Sequence, residues 1–212
     1  MIVVDNFIQD SELLKEIESD QSFYPESIGA GAYTGNFMFW DGWWKSPADT
    51  TRKKLIQSIW ENHLPIPKDQ ISGFEYWNRR YDKDEFIGLH FDEDGFLYRD
   101  KKIFIGTVLG CVYYPHLNQD FTGGFLEIHK FKMEDNTPDA LEWATINGHT
   151  SPPEERERIA CKSNRLIIFD GGHQLHSTTP IVNGFKTIFG INIWHADYPP
   201  QALSTGEYHY EK

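Results

Sequence analysis

Two hydrophobic periods divide the chain. Through about residue 72 the apolar side chains recur at helical spacing between short loops. Ile2-Val3-Val4 is a brief apolar run that reads as a strand. Asp10 or Ser11 then caps a helix through Asp20, with Leu13, Leu14 and Ile17 on one side. Ser46-Pro47 offers an N-cap and a first-turn proline for a second helix. That helix carries Leu55, Ile56, Ile59 and Trp60 before Pro65 and Pro67 end it. Between the two, the aromatic and glycine-rich stretch from Gly29 to Trp44 reads as an ordered loop that covers the core.

From Gly73 onward the period shifts toward two. Strands are expected at Phe74–Asn78, Ile103–Leu109, Cys111–Tyr114, Phe125–Ile128, Arg165–Phe169 and Thr187–Trp194. Short strands punctuated by Gly, Asp and Asn, with few helices between them, predict a mainly β (α+β) domain built as an antiparallel sandwich or jelly roll. Lys130 to Lys162 breaks the pattern. It is charged and proline-bearing, and it reads as a loop inserted between core strands, with a short helix expected around Asp139 to Trp143. The expected layout is a single domain over 1–212: helical support to about 72, a core over 73–196 with the 130–162 insertion, and a tail over 197–212.

Composition narrows the functional classes. With 39% hydrophobic and 15% aromatic residues the chain can fill a packed core. No run approaches the ~18 apolar residues of a membrane span. Met1-Ile2-Val3-Val4-Asp5 lacks the basic region of a signal peptide, so a cytoplasmic location is expected. Two cysteines, Cys111 and Cys161, are too few for a disulfide framework. A net charge of −12 repels a phosphate backbone and disfavours nucleic acid as a partner. The basic clusters Arg52-Lys53-Lys54, Arg79-Arg80 and Lys101-Lys102 are too short to reverse this.

The chemistry rests on His90-Phe91-Asp92. On an extended segment His90 and Asp92 point to one side and Phe91 to the other, so the pair can face a pocket while Phe91 packs beneath it. The triplet alone decides nothing, since His195-Ala196-Asp197 has the same form. The second copy, however, is followed only by His209, with no strand to bring back a third ligand. His176 follows the first copy by 84 residues, just after an apolar run ending in Asp170-Gly171-Gly172. Two imidazoles and a carboxylate form the facial set of non-haem Fe(II) oxygenases, which leaves coordination positions open. His173, on a glycine-flanked turn, is the nearest competitor and reads as solvent-facing. His116 and His129 read as surface histidines. Ten residues after His176 comes Lys186, which would require an anion if its ammonium faced the interior.

In this combination the chain resembles the Fe(II)- and 2-oxoglutarate-dependent dioxygenases, in their prolyl 4-hydroxylase-like branch. The resemblance runs from about Phe74 to Trp194. It includes Tyr81 nine residues before His90, Tyr113-Tyr114, Gly123-Gly124-x-Leu126, Asn164 to Phe169, and His176-x-x-x-Pro180-x-x-x-Gly184-x-Lys186. It implies a double-stranded β-helix (cupin-like jelly roll) with supporting N-terminal helices. It also implies that His90, Asp92 and His176 hold iron and that Lys186 meets the distal carboxylate of 2-oxoglutarate. Tyr81 and Tyr114 match positions that often bond the cosubstrate. The implied reaction is hydroxylation with molecular oxygen, releasing succinate and carbon dioxide, with ascorbate as a candidate reductant. A prolyl residue of a peptide or protein is the family-level substrate, and a free amino acid or other small molecule is the alternative.

Two departures accompany the resemblance. Asp84 stands where a small residue is usual, and the Gly124–Asn164 segment is longer than the family's connection. Three other readings compete. A nucleic-acid demethylase usually carries an arginine doublet after the distal histidine, and Phe185 to Trp194 has none. A zinc hydrolase could use the same three ligands but has no need of Lys186. A non-catalytic β-helix binding module has no need of the ligand set.

Overall fold

The structure is a computed structural model, and it describes residues 1–29, 37–64, 66–133, 153–206 and 208 of the chain. Among them the strands are β1 (Ile2–Asp5), β2 (Met38–Trp40), β3 (Ile71–Tyr81), β4 (Leu109–Tyr114), β5 (Thr122–Gly123), β6 (Leu126–Lys132), β7 (Arg156–Ile159), β8 (Arg165–Phe169), β9 (Gln174–Thr178), β10 (Ile181–Asn183) and β11 (Lys186–His195). The helices are α1 (Ser11–Ser19), α2 (Thr51–His63), α3 (Gly95–Lys101) and α4 (Ala202–Thr205). No described helix is long and apolar enough to cross a membrane.

Six strands form an antiparallel sheet in the order β1-β8-β4-β11-β3-β2. A three-stranded sheet, β7-β6-β9, and the pair β10-β5 make the smaller layer. Side-chain alternation explains why the large sheet is apolar on both faces. Tyr113, Leu166, Ile168, Phe189, Ile191 and Ile193 point to one side, where they meet Ile17 of α1 and Leu55, Ile56 and Ile59 of α2. Their neighbours Tyr114, Ile167, Phe169 and Ile188 point to the other side, onto Leu126, Ile128, Ile159 and Ile181 of the smaller layer. The architecture is thus a mostly β, antiparallel sandwich backed by helices.

Capping fixes the helices. The Asp10 carboxylate accepts from the Glu12 and Leu13 amides and starts α1. Thr50 caps α2, accepting from the Lys53 amide, so the predicted Ser46 cap is displaced. Ser46 is already engaged, accepting from the Trp40 indole and donating to Asp41. Pro65, assigned to the end of α2, lies outside the described residues.

Other expectations are corrected. Part of the Gly29–Trp44 loop is β2, which pairs with β3. Together with β1 it gives the region before residue 72 both edge strands of the large sheet. Ile103–Leu109 is not a continuous strand. Its backbone is taken by the loop after Asp92, with Asp94 N donating to Ile105 O and Thr107 N to Asp92 O. The 130–162 segment is less of an insertion than expected, because β6 runs to Lys132 and β7 pairs with it from Arg156. The helix expected at Asp139–Trp143 falls outside the described residues. His129 is fully buried rather than at the surface, because β6 is the central strand of its sheet.

Ile191, only 1% exposed, sits between the large sheet and the helices. Ile191→Ala should cost roughly 2–5 kcal/mol, as buried truncations of this kind do. The drop would be read as a lower denaturant midpoint at an unchanged slope.

Candidate metal centre

Backbone pairing brings the ligands together before any side chain is considered. His90 and His176 exchange amide hydrogen bonds, His90 N to His176 O and His176 N to His90 O, both at 3.0 Å. This isolated antiparallel bridge places the two imidazoles side by side, with ring centroids 4.1 Å apart. Two residues on, Asp92 N donates to Gly171 O at 2.9 Å, anchoring the carboxylate residue to the turn before β9. Phe91 points the other way, into a cluster with Phe104 and Leu175.

Each imidazole is oriented through its far nitrogen. His90 Nδ1 lies 2.8 Å from Gly88 O and His176 Nδ1 lies 3.0 Å from Gln174 O. A carbonyl can only accept, so both Nδ1 atoms carry the proton and both Nε2 lone pairs stay available to a metal. The Nε2 atoms of His90 and His176 stand 3.7 and 3.6 Å from Asp92 Oδ1. The three ligand atoms all lie within 4.8 Å of one another. Bonds of about 2.1 Å to a shared ion put neighbouring donors roughly 3.0–3.4 Å apart, so the donors must draw together when an ion binds. The residues fit a divalent cation.

Two glycines make room for the carboxylate. A β-carbon on Gly171 would lie 2.1 Å from Asp92 Oδ2, and one on Gly110 would lie 2.8 Å from it. Neither requirement follows from the triplet itself. The sequence reads Gly171 as a turn residue and is silent on Gly110.

Burial and charge act against each other here. Burial pulls the His90 pKa below its ordinary value, and the neighbouring His176 adds to that. Burial acts the same way on His176, but the charge and hydrogen bond of Asp92 outweigh it and leave its pKa raised. Burial pushes the Asp92 carboxyl up, and the attraction of His176 and then His90 brings it below the usual range. Of the two imidazoles, His176 is therefore the one that takes up a proton more readily.

Lys186 begins β11 with its side chain inward, 2% exposed. Its Nζ donates to Gly124 O at 2.8 Å and lies 3.6 Å from Cys161 Sγ. It stands 5.7 and 5.8 Å from the ring centres of Tyr81 and Tyr114. Burial lowers its pKa, and no carboxylate pairs with it among the described residues. Tyr81 sits opposite Lys186 in the β3–β11 register. Burial holds its phenol protonated, with the pKa raised to about 12. Tyr114 is similarly raised by burial, and its hydroxyl meets Cys161. Cys161 and the Gly124 carbonyl are neighbours of Lys186 that sequence reasoning passed over, Cys161 because it lay in the segment read as an insertion.

One narrow cavity connects these groups. His90, Asp92, His176, Lys186 and Tyr114 all line it, while Trp77, Leu126, Phe169 and Ile188 supply apolar wall. Tyr81 borders the lysine from behind. Asn192, also in the wall, was not anticipated as a site residue. The competitors lie elsewhere: His173 bonds Asp170 on its turn, and the second triplet is solvent-facing, with the His195 and Asp197 side chains 42% and 80% accessible.

No family model and no curated protein matches the sequence. Among solved structures, the chain is similar to a prolyl-4-hydroxylase from Pseudomonas putida, at 14% identity and a TM-score of 0.52, over 91% of each chain. An oxidoreductase of the 2OG-Fe(II) oxygenase family from Burkholderia pseudomallei matches 91% of this chain and 84% of its own, at 15% identity and a TM-score of 0.49. The first likeness shows a shared fold, and it agrees with the resemblance carried by the sequence motifs.

Two outcomes test the centre. Gly171→Ala should weaken Mn(II) binding at least roughly ten-fold while the thermal transition persists, because the added methyl displaces Asp92. In the unaltered protein, Mn(II) affinity should fall as the pH is lowered. Protons on His176 compete with the metal, and its raised pKa brings that competition in earlier than for an ordinary histidine.

Proposed function

We propose that the chain is an Fe(II)- and 2-oxoglutarate-dependent dioxygenase, a hydroxylase whose single domain is a double-stranded β-helix with N-terminal helical support. One observation carries the reading. A buried lysine with no carboxylate partner shares a narrow cavity with two imidazoles and a carboxylate arranged for one metal ion. His90, Asp92 and His176 would hold Fe(II), and Lys186 would meet the far carboxylate of 2-oxoglutarate. When bound, iron and cosubstrate supply oxygen activation, coupling loss of carbon dioxide from 2-oxoglutarate to oxygen insertion into a C–H bond.

The chain's own groups prepare that chemistry. The carbonyls of Gly88 and Gln174 keep each Nε2 free, and Gly110 and Gly171 let Asp92 approach. Gly124 O holds the lysine ammonium in place, so little ordering remains when an anion arrives. The protonated phenol of Tyr114 is available as a hydrogen-bond donor, and Tyr81 packs its ring beside the ammonium. Trp77, Leu126, Phe169 and Ile188 exclude water and so strengthen the pairing of Lys186 with a carboxylate. The substrate is a prolyl residue of a peptide or protein, which the motif spacing and the fold of a prolyl-4-hydroxylase support. A free amino acid or other small molecule is the second reading.

Anaerobic addition of Fe(II) and then 2-oxoglutarate should give the weak visible charge-transfer band of the chelate. Lys186→Ala should lose most of that band at matched cosubstrate, and an unchanged band would remove Lys186 from the assignment. Oxygen-dependent succinate formation should be abolished in His90→Ala. Its survival there would place the reaction elsewhere.

A further inference from the structure

A second, larger cavity of about 440 Å³ lies beside the residues that follow Asp92, within the ~300–1,000 Å³ range of small-ligand sites. Glu75, Glu93, Asp94, Phe96, Arg99 and Trp194 are among its walls. Its carboxylates differ in how far the protein satisfies them. Both Asp94 oxygens are occupied by backbone, accepting from Leu97 N and Gln201 N. Glu75, 8% exposed, accepts through Oε2 alone, from the Trp194 indole at 2.8 Å and Asn192 Nδ2 at 3.4 Å. Its Oε1 takes no hydrogen bond from any described residue. Glu93 Oε2 is buried and has no hydrogen-bond partner. Neither glutamate has a cationic partner among the described residues. The rim arginine is otherwise engaged: Arg99 bonds Asp100 and lies over the Phe96 ring.

Buried carboxylate oxygens left unmatched are costly unless something arrives to match them. Burial raises the Glu75 pKa to about 7, which a nearby cation would reverse. Acceptors on one wall and the rings of Phe96 and Trp194 on others suit a group that is positive, rich in N–H donors and tolerant of aromatic faces. Asn192 connects this cavity to the metal-facing one, since it lines the latter and bonds Glu75 of the former. Its own Oδ1 is another buried acceptor without a partner.

We propose that this cavity is the substrate's specificity site and that it takes an ammonium or guanidinium group through Glu75 and Glu93, so that the molecule oxidised carries an organic cation. The proposal rests on the dioxygenase reading for the word substrate, but the cation site can be tested apart from it. A free basic amino acid and a lysine or arginine side chain of a peptide both supply such a cation, and the chemistry is shared.

Calorimetric titrations of the full chain loaded with Mn(II) and 2-oxoglutarate would use L-lysine, L-arginine and their capped tripeptides. L-norleucine, L-citrulline and their capped tripeptides serve as controls whose side chains carry no charge. The cationic probes should bind at least roughly ten-fold more tightly than their controls, the value of one charge-assisted hydrogen bond. Glu93→Gln and Glu75→Gln should each remove most of that preference while Mn(II) and 2-oxoglutarate still bind. Preference for the free amino acids alone, or for the peptides as well, upholds the site and identifies the source. Equal binding of charged and uncharged probes overturns it, as does an unaltered preference in both variants. Should Glu75→Gln fail to fold, Glu93→Gln and the charge reversal Glu93→Lys decide. If Mn(II) and 2-oxoglutarate fail to bind while the cations still do, the dioxygenase reading falls and the cation site stands.

Discussion

The two hydrogen bonds between His90 and His176 are the constraint on which the rest depends. They join a segment that is not itself a strand to the free edge of β9, and so extend the smaller layer over the interior. Every later feature of the centre is referred to this bridge. Alternation from His90 carries Asp92 to the same side and Phe91 to the other. The carbonyls that orient the imidazoles come from the residues two before each histidine. Side-chain chemistry is imposed on a geometry that backbone pairing has already fixed.

The charge balance of the interior follows from that arrangement. One buried cation, Lys186, is left without a carboxylate among the described residues at one end of the inner space. Glutamates are left without a cation at the other. These are opposite deficits in two separate cavities. Packing alone would favour replacing such groups with apolar ones of similar volume. On the proposed reading, their presence is explained by ligands rather than by folding.

Much of this was legible in the sequence, for physical reasons that also mark its limits. Period-two alternation located five of the six strand regions it marked, because burial of a sheet face imposes it. It erred at Ile103–Leu109, whose apolar content serves a loop packed against the Asp92 segment. It passed over β9 and β10, which are short and bear Ser, Thr and Asn. The grouping of His90, Asp92 and His176 and the candidate Lys186 were accessible because their residue types and spacing are chemically specific. Glu75, Asn192 and Gly110 were not, since their roles depend on which strand lies beside which. Nothing local to Gly110 announces that Asp92, eighteen residues earlier, will press against it.

The strand β11 has a further consequence. Lys186 stands at its first position, Asn192 and Trp194 near its last, and Ile188 lies on the same face between them. The six-residue interval from Lys186 to Asn192 spans ~20 Å at the rise of an extended chain. The backbone therefore acts as a ruler, setting how far a molecule held in the second cavity stands from one held at the lysine. Side-chain replacement can alter what is gripped at either mark. Only insertion or deletion within the strand could change the distance between them, and a single residue would also turn every inward side chain beyond it to the opposite face.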